Sequence, residues 1–182
     1  MLNADLKQQL KQLLELMESD VEFVASLGSD DKSKELKELL DEIADMSARI
    51  TVTEKDLKRT PSFSVNRPGE ETGVTFAGIP LGHEFNSLVL AILQVSGRAP
   101  KEKQSVIDQI KGLEGPFHFE TFVSLTCQKC PDVVQALNLM SVINPNITHT
   151  MIDGAVFREE SEDIMAVPAV FLDCLLYTSD AA

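Results

Sequence analysis

Apolar positions along the chain alternate between two periods, and the alternation predicts its elements. From 4 to 18, Leu6, Leu10, Leu13, Leu14 and Met17 share one stripe while Lys7, Gln8, Lys11 and Glu15 face outward, the spacing of an amphipathic helix. Ser19-Asp20 breaks it. Residues 21 to 27 read as a strand, Gly28-Ser-Asp-Asp31 as a turn with capping residues, and 33 to 48 as a helix with Leu36, Leu39, Leu40, Ile43 and Met46 inward. A strand at 50 to 53 follows, then strands at 61 to 65 and 74 to 78 joined through Asn66-Arg-Pro-Gly69, and a helix from 83 to 96. Gly97-Arg-Ala-Pro100 closes this unit with a C-cap.

The second half repeats that order. A helix at 101 to 113, a strand at 117 to 125, a helix at 131 to 143, a strand at 147 to 152, a short helix near 158 to 165 and a strand at 169 to 172 are expected. The repeat is visible by offset: Ser26-Leu27 and Ser124-Leu125 lie 98 apart, and Ile50-Thr51 and Ile147-Thr148 lie 97 apart. Two tandem βαβ-type units, 1–98 and 99–173, account for this.

Between the second unit's first strand and its helix stands Thr126-Cys127-Gln-Lys-Cys130-Pro131. Unpaired backbone N–H groups at a helix start favour a thiolate, so Cys127 is the expected nucleophile. Two intervening residues let the sulfurs close a small ring, so Cys130 is the expected resolving thiol. A zinc half-site has the same spacing, but it needs two more ligands, and His118 and His149 both fall in strands. Val167-Pro168 opens the last strand, 38 positions beyond Cys130. In thioredoxin-like folds a cis proline at this point faces the cysteine pair, and the cis form is the expectation for Pro168.

Cys127-Gln-Lys-Cys-Pro-Asp-Val-Val-Gln-Ala-Leu-Asn-Leu-Met-Ser-Val142, Phe76-Ala-Gly-Ile-Pro-Leu-Gly-His-Glu-Phe85 and Ala166-Val-Pro-Ala-Val-Phe171 together resemble the amino-terminal domain of bacterial alkyl hydroperoxide reductase F, from about residue 1 to Asp173. The resemblance implies an α/β chain of two tandem thioredoxin-like folds, the second incomplete at its C-terminus. Ser29 falls at the offset position of Cys127, so the first copy is redox-silent. By resemblance, Cys127 and Cys130 take electrons from a dithiol in a downstream flavoprotein portion that NADH reduces through FAD. They pass them to the disulfide of a partner peroxiredoxin, supporting alkyl hydroperoxide reduction. Glu84 matches a carboxylate that in the family's fold approaches the cysteines from the silent copy, which implies a group placed to accept a proton from, or to tune, the Cys130 thiol, although an acid in the first turn of a helix is favoured anyway. Gln128-Lys129 stand where members of the family carry His-Asn, a change that bears on the potential of the pair rather than its mechanism.

Composition narrows the setting. The chain has 182 residues, 43% hydrophobic, with 29 acidic against 16 basic side chains and a net charge of -13, which argues against nucleic acid or an anionic membrane as partner. The start lacks the pattern of an export signal and the longest apolar run, 88 to 93, is too short to span a bilayer, so a cytoplasmic protein is expected. No G-x-G-x-x-G occurs, so FAD and NADH are expected in a missing C-terminal portion, with no cofactor held by these residues and a homodimer for the longer protein. Residues 174–182, Cys174-Leu-Leu-Tyr-Thr-Ser-Asp-Ala-Ala182, are expected to be an artefactual tail that fits no element of the fold, leaving an exposed sheet edge.

Overall fold

The computed structural model describes residues 1–173 and 175–178. Among the described residues five α-helices and eight strands follow in this order: α1 Ala4–Leu14, β1 Val21–Ser26, α2 Asp31–Asp45, β2 Ile50–Glu54, β3 Ser62–Asn66, β4 Val74–Ala77, a 3₁₀ turn Gly82–Glu84, α3 Phe85–Val95, α4 Gln104–Lys111, β5 Phe117–Val123, α5 Cys130–Ile143, β6 Ile147–Asp153, β7 Ala169–Leu172 and β8 Leu175–Thr178.

All eight strands lie in one sheet of order β2-β1-β3-β4-β6-β5-β7-β8. Within β1 to β4, β1 pairs parallel with β2 and antiparallel with β3, which pairs antiparallel with β4. Strands β5 to β8 repeat these relations: β5 is parallel to β6 and antiparallel to β7, and β7 is antiparallel to β8. The chain is thus two tandem thioredoxin-like folds.

The units are welded by β4 and β6, which pair parallel from Val74 against His149 to Ala77 against Ile152. At this seam the backbones approach closely. A Cβ on Gly73, at φ +81, would stand 2.9 Å from the Ile147 carbonyl oxygen, so only glycine fits.

One face of the sheet carries the main core, where Phe63 stacks on Phe76 at 5.4 Å and meets Phe23 edge-on at 5.5 Å. That core is continuous across the seam, reaching Val123, Cys130, Val134 and Met151 of the second unit. Helix α1 packs on α3, α3 on α5, and α4 on α5. The other face has a small apolar cluster of Ala77, Phe122, Ile152 and Ala169, on which Phe157, Ile164 and Phe171 lie half-buried.

Three expectations are corrected. Leu13 is exposed rather than inward, because the buried stripe of α1 is limited to Leu10 and Leu14, continued by Met17. Residues 158 to 165 form turns, not a helix. Glu159, Glu160, Glu162 and Asp163 crowd negative charge there, and Ser161 Oγ–H serves the carbonyls of Gly154 and Arg158 at 3.0 and 3.1 Å, turning the chain back on itself. Residues 175 to 178, expected to fit no element, form β8 in the place that β4 holds in the first unit. The open N–H and C=O groups along β7 accept a short extended segment whose turn residue, Asp173, has φ +49. Cys174 and residues 179 to 182, the remainder of the expected tail, lie outside the described residues.

Because the seam tolerates no Cβ at position 73, Gly73→Ala is expected to destabilise the chain by roughly 1–3 kcal/mol in chemical denaturation. A variant as stable as the parent would show that the close approach of β4 to β6 is not a constraint.

Candidate functional site

The two helices that follow the first strand of each unit begin differently. At α2 the side chain of Asp30 accepts the Ser33 N–H at 3.2 Å and the Ser33 hydroxyl at 2.6 Å, an ordinary carboxylate cap. At α5 no side-chain oxygen caps the helix. Instead the Cys130 N–H points at Cys127 Sγ, 3.2 Å away, and the sulfur sits three residues before the N–H it faces, the same spacing as Asp30 to Ser33. Sulfur therefore stands where a helix start favours negative charge.

Cys127 and Cys130 are joined in a disulfide with their Cα atoms 5.5 Å apart. The two sulfurs are not equivalent. Cys130 is fully buried in the main core, whereas Cys127 is partly exposed between the exposed Thr126 and Gln128. Its loop is fixed by the Cys127 N–H, which donates to the Ser124 carbonyl at 3.0 Å, and by a 3.0 Å hydrogen bond between the Ser124 and Thr126 hydroxyls.

Pro168 is the third expected site residue. The Val167–Pro168 peptide is cis, and the Val167 carbonyl oxygen lies 3.9 Å from Cys127 Sγ. Beside it Met165 is 96% exposed and Val167 is also exposed, so an apolar patch borders the reachable sulfur.

Glu84 comes from the first unit. Its 3₁₀ turn is pressed against the cysteine loop: a Cβ on Gly82, at φ +56, would meet the Leu125 carbonyl oxygen at 2.8 Å, and the His83 N–H donates to that same oxygen at 3.0 Å. The turn also packs against α5, the helix that opens at Cys130. Glu84 is 0% exposed and neither carboxyl oxygen has a hydrogen-bond partner. Burial lifts its carboxyl to about 7. The Ser87 hydroxyl nearby opposes the shift without hydrogen-bonding to it, and is itself met by the Gln135 amide at 3.2 Å.

The histidines that a zinc reading would recruit are committed elsewhere. His149 is buried between Thr121 Oγ1, at 2.8 Å, and Asn138 Oδ1, at 2.7 Å, and burial pushes it down to about 3, so it is a neutral core group. His118 pairs with Thr148 at 2.8 Å. Among the described residues no group of three or more metal-ligating side chains gathers.

Two features have no signal in the sequence. Asp153, at the end of β6, is buried with its carboxyl raised by desolvation while it accepts the Ala155 N–H at 3.0 Å. Arg59 bridges Glu120 and Glu160, partners far along the chain that no periodicity announces. A groove of about 620 Å³ across the second face of the sheet is lined by Arg59, Glu120 and Thr150 among others, and none of the cysteine-loop residues borders it.

No protein-family model matches the chain. Alkyl hydroperoxide reductase F of Staphylococcus epidermidis is 94% identical over 173 residues, 95% of this chain, and its counterpart in Staphylococcus aureus (strain MRSA252) is 90% identical over the same length. The chain spans 34% of the length of each. Among solved structures, the NTD_N/C domain of alkyl hydroperoxide reductase F from Enterococcus faecalis superposes with a TM-score of 0.91 at 33% identity, covering 100% of this chain and 96% of that one.

A buried carboxyl raised from 4.5 to about 7 makes stability depend on pH with a defined sign. Below about pH 4.5 folded and unfolded chains both hold the proton; between 4.5 and 7 only the folded chain does; above 7 burying the charge is a fixed penalty. Glu84 therefore lowers stability as pH rises through this window, by up to about 2 kcal/mol after allowance for residual solvent. Denaturant midpoints between pH 4.5 and 8 are expected to show Glu84→Gln gaining on the parent as pH rises. Parallel pH curves for the two would contradict the buried, unpartnered carboxyl.

Proposed function

The chain belongs to the alkyl hydroperoxide reductase F family, and from that membership we propose that it is a two-electron relay carrying reducing equivalents through Cys127 and Cys130 to the disulfide of a peroxiredoxin. The observation that carries the reading is the sulfur at the start of α5: partly exposed, facing a helix N–H at 3.2 Å, and backed by a buried second sulfur.

Each half of the relay balances. An incoming dithiol yields two protons and two electrons as the Cys127–Cys130 bond opens to two thiols. The Cys127 thiolate then attacks the partner's disulfide, one partner sulfur leaves as thiolate, and a mixed disulfide joins the proteins. Cys130 displaces the second partner sulfur and restores the starting bond. Glu84, with its carboxyl near 7, is suited to take the Cys130 proton as that thiol attacks. The Val167 carbonyl beside Pro168, with the Met165 patch, provides backbone and apolar surface on which the partner's chain lies across Cys127. On this reading 1–98 is the silent unit and 99–173 the reactive one.

These residues do not fit a dinucleotide. The sequence has no glycine-rich phosphate turn, the start of α2 is taken by its own Asp30 carboxylate, and the start of α5 by the disulfide. FAD and NADH are therefore assigned to the flavoprotein portion of the longer relatives, whose dithiol is the proposed donor, with a homodimer as the proposed assembly. No helix among the described residues is long and apolar enough to cross a membrane, in keeping with a proposed cytoplasmic site of action.

Two cysteine variants test the relay. With reduced chain supplied in excess, Cys127→Ser is expected to leave the peroxiredoxin disulfide intact. Cys130→Ser is expected to trap a mixed disulfide visible on a non-reducing gel and dispersed by dithiothreitol. Reduction that survives loss of Cys127, or no adduct with the Cys130 variant, would refute the assignment of roles.

A further inference from the structure

Arg59 takes no part in the thiol chemistry, yet its side chain is only 8% exposed and is held by two carboxylates. Its Nε donates to Glu160 at 3.0 and 3.1 Å and its Nη2 to the same carboxylate at 2.8 Å, a forked pair, while Nη2 also reaches Glu120 Oε2 at 2.6 Å. The guanidinium is aimed by a fixed backbone. Ser62 Oγ–H donates to the Arg59 carbonyl, and the Thr60 and Ser26 hydroxyls meet at 2.6 Å.

The two carboxylates sit on different supports. Glu120 lies in the middle of β5, held on both sides by β6 and β7. Glu160 lies in the stretch from Gly154 to Pro168, which contains no helix or strand and ends where the Val167 carbonyl meets Cys127 Sγ. Apart from its own turns, that stretch is anchored at its start by the Gly154 N–H, which donates to the Val123 carbonyl of β5 at 3.1 Å, and by Phe157 and Ile164 on the small second-face cluster. Ala77 of that cluster and Arg59 both belong to the redox-silent unit.

We infer that Arg59 is a positioning residue: through Glu160 it clamps the 154–168 loop so that Met165, Val167 and Pro168 are presented to a protein disulfide in one arrangement. The silent unit thereby sets how the reactive unit recognises its partner. The functional half of this inference rests on the relay reading; the structural half does not.

Glu160→Gln removes the forked pair, and Glu120→Gln removes the other arm of Arg59 while leaving the loop clamped. Hydrogen exchange of the 155–167 amides reads the clamp in either state of the relay. Stopped-flow oxidation of the reduced chain by peroxiredoxin disulfide separates half-saturation from limiting rate, and 5,5′-dithiobis(2-nitrobenzoate) serves as a small disulfide that needs no docking. Glu160→Gln is expected to speed exchange in the loop alone and to raise half-saturation about tenfold, with the limiting rate and the small-disulfide rate within about twofold of the parent. Glu120→Gln is expected to match the parent in every readout. Parental loop exchange in Glu160→Gln, equal effects in both variants, or a loosened loop with unchanged half-saturation would each overturn the clamp. If the parent itself fails to reduce peroxiredoxin, the relay reading has failed, and loop exchange still decides whether Arg59 holds the loop.

Discussion

A sulfur at the start of α5 stands where a helix ordinarily has a capping oxygen, and the rest of the molecule is arranged around that substitution. In the first unit Asp30 fills the capping position and its negative charge is spent on holding α2 in place. In the second, Cys127 Sγ faces the Cys130 N–H, and in the proposed relay the same helix start favours the thiolate that the opened disulfide releases. The two repeats thus differ in the atom each offers at the same three-residue spacing, a carboxylate oxygen in the first and a sulfur in the second.

The parallel pairing of β4 with β6 brings the first unit up against the cysteine loop. By making one sheet of two units, it sets the Gly82–Glu84 turn against the cysteine loop and leaves an unpartnered carboxyl buried beside α5. The same weld places Arg59 within reach of Glu160 on the other face. The buried second sulfur, the cis peptide beside the exposed one and the open apolar patch belong to the second unit. The buried Glu84 carboxyl and the Arg59 guanidinium both reach the second unit from across the seam.

Most elements were legible in the sequence because they are local. Alternating residues in β1, β3 and β6 and the 3.6-residue stripe of α2 follow from which side faces the core. The offset repeat predicts the common strand order, and Cys127-Gln-Lys-Cys130 between strand and helix predicts the sulfur at a helix start. What sequence reading missed is either non-local or decided by competition. Partnership of β4 with β6 leaves no periodic trace, and neither does a guanidinium that serves two carboxylates far along the chain. The acid run 159 to 163 reads as a helix only until Arg59 and the Ser161 hydroxyl take its polar groups. Glu84 was legible only through the family resemblance, because an acid in a first turn is favoured anyway, and the structure seals it from water. Leu175 to Thr178 pair with β7 because a bare strand edge recruits an extended neighbour.

Competitive alkylation of the reduced chain by iodoacetamide, read residue by residue with peptide mass spectrometry at neutral pH, tests the central claim most directly. The helix-start sulfur is predicted to take label first and fast, with Cys130 protected by the core. Equal labelling of the two, or Cys130 reacting ahead of Cys127, would contradict it.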